Sequence, residues 1–171
     1  MIEIIKARIE HADTITKIGK ESFLLAHGHS ASKKDIAAYL ERSYTENALK
    51  KELENENNNY HLILKEGEVA GFSNIILNQK NQNVLEQPNA LLDRLYLSPA
   101  FHGQSMGRLL LQHGFEYVKE NNQKGIWLAV WIENYRAISF YTKNGFKKVG
   151  SYDFKISETH ANPNHIMYRS V

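Results

Sequence analysis

Cysteine is absent from the 171 residues. Its absence rules out a disulfide framework, cysteine-ligated zinc and any acyl transfer through a cysteinyl thioester, and it fits a reducing compartment. Long apolar runs are missing too. None approaches the roughly 20 residues that span a bilayer, and no N-terminal stretch combines a basic start, an apolar core and a small-residue cleavage site. A soluble, cytoplasmic protein with no membrane partner is therefore expected. Nor is there an excess of one charge: the net charge is +2, with lysines interspersed among glutamates, which gives no basis for a nucleic-acid surface. The eight histidines form no His-x-x-x-His pair beside a glutamate, so no metal site is expected. His27 and His29, on either side of Gly28, read as a solvated loop rather than a chelate. Neither Gly-x-x-x-x-Gly-Lys nor Gly-x-Gly-x-x-Gly occurs, and there is no repeat, low-complexity tract or linker.

What is present suits one compact domain over residues 1–171, with 42% hydrophobic positions available for a core. Ile2, Ile4 and Ile5 mark a first strand. Ile15, Ile18, Ser22 and Leu25 form a helical stripe after Asp13. Ser32 and Thr45 read as N-caps of two further helices, carrying Ile36, Tyr39 and Leu40 and then Leu49 and Leu53. The polar stretch Asn55 to Asn59 ends the helices. Tyr60 to Lys65 and Val69 to Leu77 form a hairpin across Glu66, Gly67 and Glu68, followed by a polar loop from Asn78 to Asn89. Leu91 to Leu97 is the next strand, stopped by Ser98 and Pro99. A helix from Gly107 to Val118, a strand at Trp127 to Trp131, a helix around Ala137 to Tyr141, and strands at Phe146 to Tyr152 and His165 to Ser170 complete the order. This alternation predicts an α/β (α+β) mixed sheet of six to seven strands with helices on both faces. The strand, glycine-containing loop and helix in the middle gather backbone N–H groups at the positive end of a helix dipole, a ready site for phosphate.

Three segments carry the chemistry: Leu92-Asp93-Arg94-Leu95-Tyr96-Leu97, then Phe101-His102-Gly103-Gln104-Ser105-Met106-Gly107-Arg108, then Asn134 to Phe146. In order and spacing they resemble the GNAT acetyltransferase superfamily. The last piece matches that pattern as Asn-x-x-Ala-x-x-Phe-Tyr-x-x-x-Gly-Phe at every named position. In the loop, His102 and Ser105 stand where the family has Gln or Arg and then Gly, and only Gly107 agrees. Glu21-Ser22-Phe23, Ala38-Tyr39-Leu40-Glu41, Leu49-Lys50-Lys51-Glu52-Leu53 and Ile126 to Trp131 further resemble the PaiA-type polyamine acetyltransferases.

The resemblance implies a GNAT fold with a splayed, bulged fourth strand and acetyl-CoA as cosubstrate, with no metal. It implies that Leu95, Tyr96, Leu97, the loop from His102 to Arg108 (His102, Gly103, Gln104, Ser105, Met106, Gly107 and Arg108), Asn134, Tyr141 and Lys143 bind the cofactor. Arg108 and Lys143 either meet its phosphates or are solvated helix charges. It implies Tyr141 as the acid for the leaving sulfur, and Asp93 as either the base for the acceptor amine or its anchor. The reaction would be a direct attack in a ternary complex on acetyl-CoA by a primary amine, with spermidine or spermine as the implied small-molecule acceptor. Tyr39, Tyr44, Trp131 and Glu133, with Glu21 and Glu41, are the candidate aromatic and acidic groove for that cation. Two other readings share the same cofactor half: a protein N-terminal or lysine acetyltransferase, and a non-catalytic CoA-binding regulator. A homodimer through a strand edge is compatible with either.

Overall fold

A computed structural model describes residues 1–171. The chain runs β1 (Ile2–Lys6), α1 (Ala12–His27), α2 (Lys33–Ser43), α3 (Glu46–Glu54), β2 (Asn58–Lys65), β3 (Glu68–Ile76), β4 (Asn89–Leu97), α4 (Met106–Glu120), β5 (Gly125–Trp131), α5 (Tyr135–Lys143), β6 (Lys147–Lys155) and β7 (Ala161–Ser170). Local signals set many of these boundaries. Ser32 accepts from the Asp35 amide and Thr45 from the Ala48 amide, so both expected caps form. Asn134 caps α5 in the same way through the Ala137 amide.

The seven strands form one sheet in the order β1-β2-β3-β4-β5-β7-β6, antiparallel throughout except where β4 meets β5. Alternation along β2, β3 and β4 divides the sheet into two faces. Leu62 and Phe72 point to one side, where they pack with Ile15, Ile18, Tyr44 and Leu49 from α1 to α3. Ile63, Ala70 and Ile75 point to the other, against Leu110 and Leu111 of α4. Tyr141 of α5 joins that second core beside Phe146.

Several strands extend further than their apolar runs suggest. Asn58 and Asn59 belong to β2, Asn89 begins β4, Asp153 to Lys155 end β6, and Ala161 to Asn164 belong to β7. These extensions are mostly polar, so hydrophobic alternation does not mark them. Buried Asn59 instead satisfies its side chain on the Ile75 carbonyl and the Tyr117 hydroxyl. Pro163 lacks a ladder N–H, yet its carbonyl accepts from Ile132, which ties β7 to the end of β5.

Gly19 shows how closely α1 lies on the sheet. A Cβ there would sit 2.5 Å from Cδ1 and Cε1 of Tyr44, a ring that is only 1% exposed and has no room to retreat. Gly19→Ala is therefore expected to destabilise the fold by about 1–3 kcal/mol, the usual cost of overpacking. Thermal melting checks it, and an unchanged Tm would show that α1 can shift.

Candidate functional site

The strands β4 and β5 pair only from Asn89 to Leu91 against Gly125 to Trp127, after which they part. Within β4 a bulge falls at Asp93: Asn74 pairs with Arg94 and Ile75 with Leu92, so Asp93 is the extra residue. The direction of the backbone groups follows from the ladder. The Ser98 amide donates to the Ala70 carbonyl on the β3 side. Successive residues alternate, so the main-chain groups of Leu97 and Leu95 point away from β3 into the gap. The Leu97 carbonyl confirms this, because it accepts from Ser22 Oγ at 3.1 Å and lies 3.2 Å from His102 Nε2. The Leu97 N–H and both main-chain groups of Leu95 thus face the opening.

The loop after β4 reaches α4 through two left-handed residues, Gly103 at φ +75° and Ser105 at φ +60°. Ser105 adopts the conformation that glycine tolerates best, at a strain cost of about 1–2 kcal/mol. Its hydroxyl makes no cap bond. The first bond of α4 runs from the Leu109 amide to the Ser105 carbonyl, so the amides of Met106, Gly107 and Arg108 lie free at the helix N-terminus. A Cβ on Gly107 would come within 3.3 Å of Leu97 Cδ1 and 3.6 Å of the Phe140 ring, so glycine lets these amides sit close beneath β4. His102 spends its Nε2–H on the Leu97 carbonyl, and Gln104 turns outward to Lys65 Nζ at 2.5 Å. Met106 is buried in the core and offers only its amide.

Between the parted strands lies a cleft of about 900 Å³. Leu95, Tyr96, Leu97, His102, Gly107, Asn134 and Tyr141 line it, as do Asp93, Tyr39, Tyr44, Trp131 and Glu133. Sequence-predicted cofactor and acceptor residues thus converge on one space. Gly103, Gln104, Ser105 and Met106 are not among its walls, and neither are exposed Arg108 and Lys143. Glu21 and Glu41 are exposed elsewhere, so the acidic part of the expected groove reduces to Glu133, with Asp93 lining the same cleft. Arg136, in the first turn of α5, also lines the cleft and was not anticipated.

Tyr141 is 9% exposed, and burial, with Tyr96 nearby, pushes its phenol well above the usual 10. Asp93 Oδ2 accepts from Asn74 Nδ2 at 3.2 Å and lies 3.8 Å from Arg94 Nε. Arg94 holds more partners than any other cation facing the cleft. Its guanidinium meets Glu52 of α3 at 2.9 and 3.2 Å, lies 2.6 Å from the Tyr60 hydroxyl and stacks 4.8 Å over the Tyr44 ring. Tyr60 in turn donates to Glu52. Sequence reasoning missed this cluster, because its members come from α3, β2 and β4 and share no local spacing.

His27 also corrects the sequence reading. It ends α1 rather than sitting in a loop, lines the cleft and packs against Phe23 and Trp131. Burial first, and His29 second, push it down to about 4, so it is neutral at pH 7. On the α4 side of the sheet, buried His61 is likewise pushed down to about 4, by burial and then by His113 4.7 Å away.

The comparisons place this geometry in a family. Residues 25–146 match the Acetyltransferase (GNAT) family, and the chain belongs to it. It is an N-acetyltransferase with acetyl-CoA as cosubstrate. An uncharacterized N-acetyltransferase of Lactobacillus delbrueckii subsp. lactis is 26% identical over 158 residues, covering 92% of this chain and 91% of the relative. The spermidine N(1)-acetyltransferase of Thermoplasma acidophilum is 27% identical over 146 residues, covering 85% of this chain and 88% of the relative. Among solved structures, the PaiA N-acetyltransferase of Thermoplasma acidophilum in complex with coenzyme A superimposes with a TM-score of 0.79 at 25% identity, covering 100% of this chain and 99% of that one.

The two depressed histidines predict a pH dependence of stability. Unfolded, each binds a proton near pH 6.5; folded, each resists protonation until about 4. Between these values the unfolded chain holds more protons, so stability falls as pH falls through that window. Tm should drop from pH 6.5 to 4 in the wild type and drop less steeply in His61→Gln. Parallel slopes for the two proteins would show that His61 is not titrating this way.

Proposed function

We propose that this single-domain enzyme transfers an acetyl group from acetyl-CoA to a primary amine of a small polyamine, spermidine or spermine, by direct attack in a ternary complex. One observation carries the reading: the bulge of β4 sets the Asp93 carboxylate in an aromatic-walled cleft, on the strand whose Leu95 and Leu97 amides face the same gap. The similarity to a spermidine N(1)-acetyltransferase over 85% of the chain supports the acceptor class.

The residues present fit the cosubstrate. The free amides of Met106, Gly107 and Arg108 at the start of α4 are donors for a pyrophosphate, with Gly107 leaving room for close approach. The open edge of β4 at Leu95 and Leu97 can bond an extended pantetheine arm as an added strand would. When bound, acetyl-CoA supplies the acyl carbon. Everything else belongs to the chain.

The acceptor arrives as an ammonium, because an aliphatic amine near pKa 10.4 is protonated at pH 7. Asp93 takes the proton directly or through a water, held for this by Asn74 and Arg94. As the freed nitrogen adds to the carbonyl carbon, the Leu95 amide receives the growing negative charge on oxygen, and the second nitrogen proton passes to water in the cleft before the carbon–sulfur bond breaks. Tyr141 then donates to the departing sulfur, and Asn134 keeps α5 in register by capping it. Because Tyr141 lies well above 10, it stays protonated over the whole working range.

A panel of polyamines, amino acids and lysine or N-terminal peptides, read by CoA release, tests the acceptor. Spermidine or spermine should give the highest kcat/KM. A preference for peptides would make the chain a protein acetyltransferase, and CoA binding without transfer to any amine would make it a regulator.

Asp93→Asn should lower kcat/KM for the amine by about 10²-fold near pH 7. The deficit should shrink as pH approaches 10, where the acceptor arrives already neutral. A deficit that is constant with pH would assign Asp93 to anchoring alone.

Tyr141→Phe should lower kcat by about 10²-fold and leave the KM for acetyl-CoA within about twofold. Full turnover in this variant would remove Tyr141 from the reaction.

A further inference from the structure

Three formal charges stand in a row at the β4 bulge: Glu52, Arg94 and Asp93. The guanidinium is bidentate to Glu52, which makes that pair the tight one, while Asp93 is its looser neighbour at 3.8 Å. From this arrangement we infer that Glu52, which is not itself a wall of the cleft, determines specificity for cationic acceptors by neutralising Arg94, so that the Asp93 charge is left over to attract the ammonium. The inference rests on the reading of this cleft as the acceptor site.

The surroundings support the charge count. Tyr39, Tyr44, Tyr60 and Tyr96 face the row from α2, the turn after it, β2 and β4. Burial is the leading cause that raises each of their phenols, Tyr39 to about 12, so none adds a charge near neutrality. Asn74 and Asn58 complete the polar shell and are neutral. Arg42 lies against the Tyr39 ring and is bonded to the Ile156 carbonyl. Glu133 and Arg136, one of each sign, line the same cleft outside the row. The row therefore carries a net charge of −1 with Glu52 present and 0 without it.

Arg94 is also much better shielded from water than Asp93, with side-chain exposures of 11% and 35%. An incoming ammonium meets Asp93 first, while the buried guanidinium repels it at longer range unless Glu52 cancels that field. Charges in such a partly buried row are screened by salt less than charges on an open surface.

The test uses steady-state kinetics with spermidine, or with a lysine peptide if the wild-type enzyme acetylates that instead. The charge inference can therefore fail while the acceptor class stands, and the reverse. Glu52→Gln should raise the acceptor KM about tenfold. The KM for acetyl-CoA and kcat at saturating acceptor should stay within about twofold. Tyr60→Phe removes a hydrogen bond to Glu52 without changing any charge, and should leave the acceptor KM in place.

The double variant Glu52→Gln with Arg94→Gln restores the net charge of −1, and should bring the acceptor KM back to within about threefold of the wild type. An unchanged KM in Glu52→Gln, an equal rise in Tyr60→Phe, or a double variant no better than the single one would each overturn the inference. Should Glu52→Gln lack a cooperative melt, the double variant decides alone: a tenfold rise in its acceptor KM would overturn it.

Discussion

The parting of β4 from β5 after three paired residues is the constraint on which the site depends. Had the ladder continued, β5 would have consumed the main-chain groups of Leu95 and Leu97, and no cleft would separate Asp93 from Tyr141. Several features act together to hold the strands apart. The bulge at Asp93 adds local twist just beyond the last pair. Ser22 and His102 then take over the Leu97 carbonyl, which would otherwise be a buried acceptor without a partner. The sheet stays continuous because β7 pairs along the whole of β5, from Gly125 to Trp131. The opening thus costs few unsatisfied backbone groups.

The same bulge explains why the Asp93 side of the cleft is built around Arg94. Placing two consecutive charged residues at an irregularity brings one beside the other, with Asp93 left open to solvent and Arg94 sunk between its neighbours. The burial of Arg94 requires compensation, which Glu52, Tyr60 and Tyr44 supply. Glu52 lies 42 residues away on α3, so the ion pair also fastens the N-terminal helices to the strand that borders the cleft. The Asp93 charge in the cleft is in this way coupled to the packing of the N-terminal helices.

How much of this was legible in the sequence depends on how local each signal is. The helix carrying Ala137, Ile138 and Tyr141 is a local pattern, and periodicity places it correctly, whereas the capping of that helix by Asn134 emerges only from the structure. The Ser105 loop was readable only in part. Its order pointed to an anion site, but a serine in the left-handed region cannot be inferred from composition when glycine is the usual occupant. The Arg94 cluster was not legible at all, because sheet register brings Tyr60 to it and the packing of α3 brings Glu52, and both are properties of the assembled fold. His27 was misread because Gly28 suggested a loop, whereas Gly28 continues in right-handed helical geometry at φ −59° and the helix keeps His27 against Trp131.

Tyr141 shows how burial limits the chemistry proposed for it. A phenol pushed well above 10 is a weaker acid than a free thiol near 8.5, so it cannot hand its proton completely to a thiolate that has already left. It can donate strongly while the carbon–sulfur bond is breaking and the sulfur gathers charge in a site shielded from water. The same burial that weakens the acid keeps it protonated and excludes competing water from the sulfur. A more exposed phenol would be the better proton source in bulk terms and the worse donor at the moment of cleavage. In the proposed reaction, Tyr141 therefore contributes mainly a fixed hydrogen bond along the breaking bond, and the thiolate that leaves takes its proton from water.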